Sequence, residues 1–143
     1  MERREFGRLI PHTGTMSLLD RVLAWDADGI RCSASSHRNP GHPLAEDGRL
    51  HAVCGVEYAA QAVALHAALA APPDHAAEPV PGYLAGIRRL ELMAMRLDDI
   101  TEDLIVDARC QVADGGGLLY EFDLTAGSHR VLAGSLTILF PRG

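Results

Sequence analysis

The chain has 143 residues, and its 13 basic and 19 acidic side chains give a formal net charge of −6. All 13 basic residues are arginine, which excludes a P-loop, a pyridoxal phosphate enzyme and a protein kinase, since each needs a lysine in its site. The acidic balance gives no electrostatic footprint for nucleic acid, and an acidic partner would need a local arginine patch. The length and the 48% hydrophobic content predict a single domain, residues 1–143, with a real core.

The three cysteines, Cys32, Cys54 and Cys110, are widely spaced and form no C-x-x-C pair. An odd, scattered set argues against a disulfide framework and suits a reducing compartment. The first residues contain no apolar run long enough for a signal peptide. We therefore expect a cytoplasmic protein.

Residues 17–36 predict a β-hairpin, because two extended segments flank the turn sequence Asp26–Gly29. Residues 37–48 predict an irregular loop rich in proline and glycine, a kind of segment that often carries function. Residues 50–71 predict a long alanine-rich helix that ends at two prolines. Three polar side chains interrupt its apolar surface, which favours a helix buried in protein over a membrane span: Glu57, Gln61 and His66.

After a proline-rich linker at 71–81, the chain reads as strands joined by short turns, with the composition of a tight turn at Asp114–Gly117. The extended segments cover residues 83–94, 103–113, 118–126 and 130–140. Such a succession predicts an antiparallel meander. A hairpin, a loop, one buried helix and a meander predict an α+β fold, in which an antiparallel sheet wraps around one long central helix. This is the order of elements of the hotdog fold.

Glu57 and Gln61 are the first candidates for chemistry, because they stand four residues apart on one face of an otherwise apolar helix. A carboxyl group buried among Val53 and Val63 would cost several kcal/mol unless it were paired or protonated. Burial would also raise its pKa above the usual value of about 4.3, which suits proton transfer near neutral pH. The alternative is a helix start at which Glu57 is exposed or caps the first turn. Its carboxylate would disfavour the thiolate of Cys54, so we interpret Cys54 as part of the core.

Histidines are the second candidates, and the chain has seven. Gly41 and Pro43 flank His42 in the loop before the helix, where a rigid turn could hold the imidazole against Glu57 or its counterpart in a partner chain. A histidine and a carboxyl group in one apolar pocket form a general acid–base pair, worth about 10²–10⁴-fold in rate. No histidine pair has the spacing of a metal site, so we expect no metal and no other cofactor.

Five segments of the chain, in this order, resemble segments of a known family: residues 9–22, 37–44, 54–69, 82–92 and 133–140. Among them, a helix with the pattern E-x-x-x-Q follows a loop with the sequence G-H-P. Together they resemble the hotdog 3-hydroxyacyl-[acyl carrier protein] dehydratases. More narrowly, they are similar to the dehydratase-like proteins of bacterial aryl polyene pigment clusters. The resemblance covers nearly the whole chain. It implies removal of water from a 3-hydroxyacyl thioester on an acyl carrier protein, which gives a trans-2-enoyl thioester.

The resemblance also implies residue roles. By motif match, His42 removes the α-proton, Glu57 handles the departing hydroxyl, and Gln61 orients the acid. The helix start near Gly55 would supply backbone N–H groups to the thioester oxygen. In the family the histidine and the acid come from different chains of a dimer. A homodimer, or a heterodimer with a related hotdog subunit, is therefore implied.

The chain departs from the family in two ways. The loop after His42 reads PLAEDGRLHAV, where the family has F-P-G-x-P and then Pro-Gly. The number of residues between His42 and Glu57 is also one larger than between the histidine and the acid of ordinary fatty acid dehydratases. His37 and His51 therefore stay open as alternatives for the base. Two other functions also stay open. One is a non-catalytic hotdog partner of a second, active dehydratase, and the other is a hotdog thioesterase whose helix carboxylate activates water.

An acyl carrier protein with its phosphopantetheine thioester is strongly acidic, so docking on this acidic chain would need a local positive patch. Arg88 and Arg89, in the strand after the linker, and Arg96 are the candidates, with Arg38 beside the loop. Ordinary solvated strand charges are the alternative for each of them.

Overall fold

The computed structural model describes residues 1–6, 17–70, 83–114 and 116–139. The predicted linker at 71–81 therefore lies outside the described residues. The helices are α1 (Arg3–Phe6) and α2 (Gly55–Ala70), and short 3₁₀ turns span Ser36–Arg38 and Ala52–Cys54. The strands are β1 (Arg21–Trp25), β2 (Gly29–Ala34), β3 (Tyr83–Leu92), β4 (Leu104–Asp114), β5 (Gly117–Ala126) and β6 (His129–Leu139).

These strands form one antiparallel sheet in the order β1-β2-β4-β5-β6-β3. The predicted hairpin is present as β1 and β2, and β4, β5 and β6 form the predicted meander. Strand β3 does not pair with the next strand in the chain, as a simple meander would require. It pairs with β6 at the edge of the sheet opposite β1. Helix α2 begins over β5 and β6, where a Cβ at Gly55 would meet Leu124 and Leu132, and its His66 reaches the Asp26 carbonyl in the turn between β1 and β2. Residues 93–103 join β3 to β4 in the middle of the sheet.

Helix α2 packs on β2, β4 and β5, so the sheet wraps around one buried helix as predicted. Small side chains such as Ala59 and Ala62 are fully buried and allow close approach to the sheet, and Leu65 is buried beside them. Burying one large aliphatic side chain is worth about 1.5–3 kcal/mol. By length and composition, Ala52–Ala70 is also apolar enough to cross a membrane. Buried core helices share that property.

The segment after β3 holds the start of the helical region in place. The carbonyl of Leu50 accepts the Leu97 N–H at 2.7 Å, and the Leu50 N–H donates to the Asp98 carboxylate at 2.8 Å. Arg96 Nε donates to the same carboxylate at 3.0 Å. The hydrogen bond from Arg96, and then that from Leu50, hold the pKa of Asp98 well below its usual range. Arg96 therefore has a structural role at this point.

Gly55 lies where α2 touches the sheet, and a Cβ there would clash with Leu132 Cδ2 and stand 3.1 Å from Leu124 Cδ2. We expect Gly55→Ala to lower the free energy of unfolding by about 1–3 kcal/mol, because overpacking a tight core costs that much. Urea denaturation measures the change. Gly86→Ala is the matched control, since no atom of the part of the chain that the structure describes lies within 4 Å of a Cβ at Gly86. Equal stability of the Gly55→Ala protein and the wild type would contradict this packing.

Candidate active site

His42 is buried beneath the loop before α2, and both of its ring nitrogens make hydrogen bonds. The Leu44 N–H donates to Nδ1 at 3.1 Å, so the proton of the neutral ring resides on Nε2. Nε2 donates to the Tyr58 hydroxyl at 3.0 Å, and the two rings stack with centroids 6.1 Å apart. Burial, and secondly the neighbouring His37, lower the pKa of His42. His42 is therefore a neutral imidazole in a fixed tautomer.

Tyr58 extends this network towards the segment before β1. Ser36 Oγ donates to the Leu18 carbonyl at 2.8 Å, so it accepts from the Tyr58 hydroxyl at 2.7 Å. The Leu18 N–H donates to Gln61 Oε1 at 3.0 Å. Burial raises the pKa of Tyr58 to about 12, which keeps its proton in place as a donor. One directed series of hydrogen bonds, the His42–Gln61 network, thus joins two predicted site residues through the backbone of Leu18.

Tyr58 and Ser36 were not predicted as site residues. The available signal was a tyrosine inside an apolar helix, because a buried tyrosine hydroxyl usually needs a hydrogen-bond partner. Nothing in the local pattern identifies that partner. Ser36 lies 22 residues away in the chain from Tyr58, and His42 lies 16 residues away.

Glu57 lies in the first turn of α2 and is exposed, so the expectation of a buried carboxyl group is wrong for the single chain. Val63 is fully buried as expected, but Val53 is 49% exposed. Gly55, in the same turn, touches the sheet, so Val53 and Glu57 lie on a part of the helix surface that the sheet does not cover. An apolar sequence pattern does not show which face of the helix is covered. The predicted effect on Cys54 is confirmed: burial, and secondly the charge of Glu57, raise the pKa of its thiol.

Exposed apolar side chains lie near Glu57 at the start of the helix. Val53 precedes it by four residues, and Met95 is 89% exposed. The Ala52 N–H donates to the Met95 carbonyl at 3.0 Å, which places Met95 beside the start of the helix. Leu92, at the end of β3, is 50% exposed. We call Val53, Glu57, Leu92 and Met95 the helix-start surface. Large exposed apolar patches often mark contact with another molecule.

Strand β3 also carries uncovered apolar side chains on the face that packs against the helix. Directly opposed residues of neighbouring strands share one face of a sheet. The opposed pairs of β3 and β6 are Leu84 with Ile138, Ile87 with Leu136, and Leu92 with Leu132. The three β6 side chains are at most 9% exposed, whereas the three β3 side chains are 38–50% exposed. The cover of the inner face therefore ends at β6.

The backbone N–H of Gly55 donates to the carbonyls of Ala52 and Val53. Of the backbone N–H groups near Gly55 that the sequence suggests for the thioester oxygen, the N–H of Gly55 itself is thus used within the chain. The tight contact with the sheet described above explains a glycine at this position without any role in binding.

The two alternative histidines differ in their surroundings. His37 is buried, and its Nε2 donates to the carbonyls of Ile100 at 3.1 Å and Glu102 at 3.0 Å. Burial, and secondly Arg38, lower its pKa. His51 is exposed just before the helix. In the part of the chain that the structure describes, no three histidine, cysteine or acidic side chains are placed to hold a metal ion.

The predicted docking arginines fall into two pairs. Arg96 is held by Asp98, and Arg38 donates to Asp103 Oδ1 at 2.7 Å. Arg88 and Arg89 are exposed on β3, and neither forms an ion pair with the described residues. Of these four arginines, Arg88 and Arg89 could therefore bind a ligand without first breaking an ion pair, whereas Arg38 and Arg96 could not.

Comparison with known proteins gives a family and a fold. A family model described as ApeP-like, ApeP dehydratase, matches residues 4–142. The chain is similar to a chain of the dehydratase heterocomplex ApeI:P from Xenorhabdus doucetiae, with a TM-score of 0.82 and 19% identity over 96% of this chain and 91% of that one. No curated protein sequence gives a significant match.

Two hotdog thioesterases are also similar in structure. A thioesterase from Haemophilus influenzae has a TM-score of 0.68 and 13% identity over 99% of this chain and 92% of that one. A hypothetical thioesterase from Streptococcus pneumoniae, solved with coenzyme A, has a TM-score of 0.62 and 10% identity over 97% and 96% of the two chains. Together with the sheet order, these similarities show the hotdog fold, as predicted.

Proposed function

The chain belongs to the ApeP dehydratase family, and on that premise we propose that it takes part in removing water from 3-hydroxyacyl thioesters of an acyl carrier protein, in fatty-acid-like or aryl polyene biosynthesis. The product is a trans-2-enoyl thioester. The observation that supports this most is the position of Glu57, an exposed carboxyl group near exposed apolar side chains at the start of the buried helix. Elimination of water needs one group to take the α-proton and one to protonate the departing hydroxyl.

We further propose that a related hotdog subunit covers the helix-start surface and forms a heterodimer with this chain. The uncovered inner face of β3 supports a partner at this edge. The similar ApeI:P structure is named as a heterocomplex. A partner here would remove water from the Glu57 carboxyl and so favour its protonated form, because desolvation disfavours charge. That form can give its proton to the departing hydroxyl.

The α-proton needs an imidazole with a free lone pair. In His42, the base predicted from the sequence, Nε2 already carries a proton, and Nδ1 could accept one only after release of the Leu44 N–H. We therefore propose that the partner subunit supplies the base and that this chain supplies the acid. As the α-proton passes to the base, the carbon–carbon double bond forms and the hydroxyl leaves with the Glu57 proton as water.

The test is mass spectrometry of a carrier protein loaded with a 3-hydroxyacyl chain. The substrate is incubated with this chain alone, and in parallel with the chain co-purified with its hotdog partner. We expect loss of one water from the acyl chain only in the complex. Full activity of the chain alone would contradict the need for a partner. Release of the carrier thiol without an enoyl product would favour the hotdog thioesterase, and an unchanged substrate in both samples would contradict dehydration.

A further inference from the structure

Arg89 has a backbone conformation that side chains with a Cβ rarely adopt. Its φ is +55°, in the left-handed region, although it lies inside strand β3. The other described non-glycine residue with positive φ is Asp47 (φ 52), which stands in a turn beside Gly48, where aspartate is common. The short side chain of aspartate can form a local hydrogen bond in this conformation, whereas the Arg89 side chain makes no hydrogen bond with the described residues.

The strain belongs to a β-bulge. The register of β3 on β6 shifts between the Arg88–Ser135 pair and the Glu91–Ala133 pair. Two residues of β3, Arg89 and Leu90, therefore oppose one residue of β6. Bulges of this kind bend an edge strand and redirect a side chain.

The neighbouring strand accommodates the bulge through a glycine. A Cβ at Gly134 of β6 would lie 3.3 Å from the Arg88 carbonyl oxygen and 3.3 Å from Leu90 Cα. The small residue on β6 thus leaves room for the extra residue of β3. The residues of both strands therefore fit the bulge.

The bulge presents positive charge near the proposed site. Arg88 and Arg89 are exposed, and within the described residues neither is held by an ion pair. Leu92 of the helix-start surface follows Arg89 by three residues, roughly 10 Å along a strand. The chain as a whole carries a charge of −6, so an anion needs a local positive group in order to bind.

We propose that this bulge is a phosphate site, in which the Arg89 guanidinium, with Arg88 beside it, binds the phosphate of the substrate's pantetheine arm. The inference rests on the proposed function, because that function supplies a phosphopantetheine thioester. Guanidinium groups bind phosphate through paired N–H donors. Backbone strain persists at functional sites where the surrounding structure maintains it.

Arg89→Asn separates strain from charge, because asparagine tolerates the left-handed region and carries no charge. We expect the melting temperature of the complex to rise by about 3 °C, since the strain is relieved. We expect its KM for carrier-bound substrate to rise about tenfold with kcat unchanged, because one charged hydrogen-bonding group is lost. Arg89→Lys should keep KM within about threefold of the wild type. Arg109→Gln removes an exposed charge three strands away and should leave KM unchanged.

Three substrates that differ in the group carrying the acyl chain identify the ligand that the bulge binds. With an N-acetylcysteamine thioester, which has no phosphate, Arg89→Asn should match the wild type, and with a 4′-phosphopantetheine thioester its KM should rise as with the carrier. A rise confined to the carrier-bound substrate would assign the bulge to the carrier's acidic surface and overturn the phosphate site, as would an equal rise with all three substrates. Calorimetric binding of 4′-phosphopantetheine, expected to weaken about tenfold in Arg89→Asn, tests the bulge even if the complex dehydrates nothing.

Discussion

Replacing Glu57 by glutamine is expected to abolish dehydration by the complex of this chain with its hotdog partner, while the complex still assembles and melts as the wild type does. Glutamine keeps the size and hydrogen-bonding shape of the side chain but has no proton to give to the departing hydroxyl. Loss of a general acid lowers a rate by about 10²–10⁴-fold. Because Glu57 is exposed in the isolated chain, its replacement should leave the stability of that chain within about 0.5 kcal/mol.

The measurement is the initial rate of enoyl thioester formation at saturating substrate, followed by the absorbance of the conjugated product. Glu121→Gln is the matched control, because Glu121 is an exposed glutamate on β5, away from the helix start. We expect this control to retain the wild-type kcat. If Glu57→Gln also retained it, the acid would have to come from another group, and the helix-start surface would serve assembly alone.

Local patterns predicted most of the fold. Alternation and turn composition located the hairpin and the meander, and an alanine-rich segment before two prolines located α2. The place of β3 could not be predicted in the same way, because its pairing with β6 joins segments about 50 residues apart and no turn links them. The helix also begins five residues later than predicted, because Ala52–Cys54 form a 3₁₀ turn.

The candidate site was predicted less completely than the fold. The sequence singled out His42, Glu57 and Gln61, and the structure joins His42 and Gln61 in one network while Glu57 lies outside it. Spacing along a helix fixes which residues share a face, but it does not say whether the sheet, solvent or a second subunit covers that face. The engagement of Arg96 by Asp98 similarly depends on the fold of the segment after β3.

His42→Asn is expected to lower stability and to leave the chemistry of the complex nearly unchanged. The asparagine Oδ1 can still accept the Leu44 N–H, as in an Asx turn, but the side chain is too short to reach the Tyr58 hydroxyl. Losing this hydrogen bond in a buried network costs about 1–3 kcal/mol in the free energy of unfolding. Since we assign the base to the partner subunit, kcat of the folded complex should stay within about threefold of the wild type.

Tyr58→Phe provides the matched comparison, because it removes the hydroxyl that His42 and Ser36 share. Urea denaturation of both single variants and of the double variant should give non-additive losses, since all three break the same network. Additive losses would show that the two side chains act separately. A fall in kcat of about 10²–10⁴-fold in His42→Asn, with Tyr58→Phe near the wild type, would instead identify His42 as the base. The loop would then have to release the Leu44 N–H from Nδ1 during each turnover, because an imidazole that accepts a proton there can no longer accept that hydrogen bond.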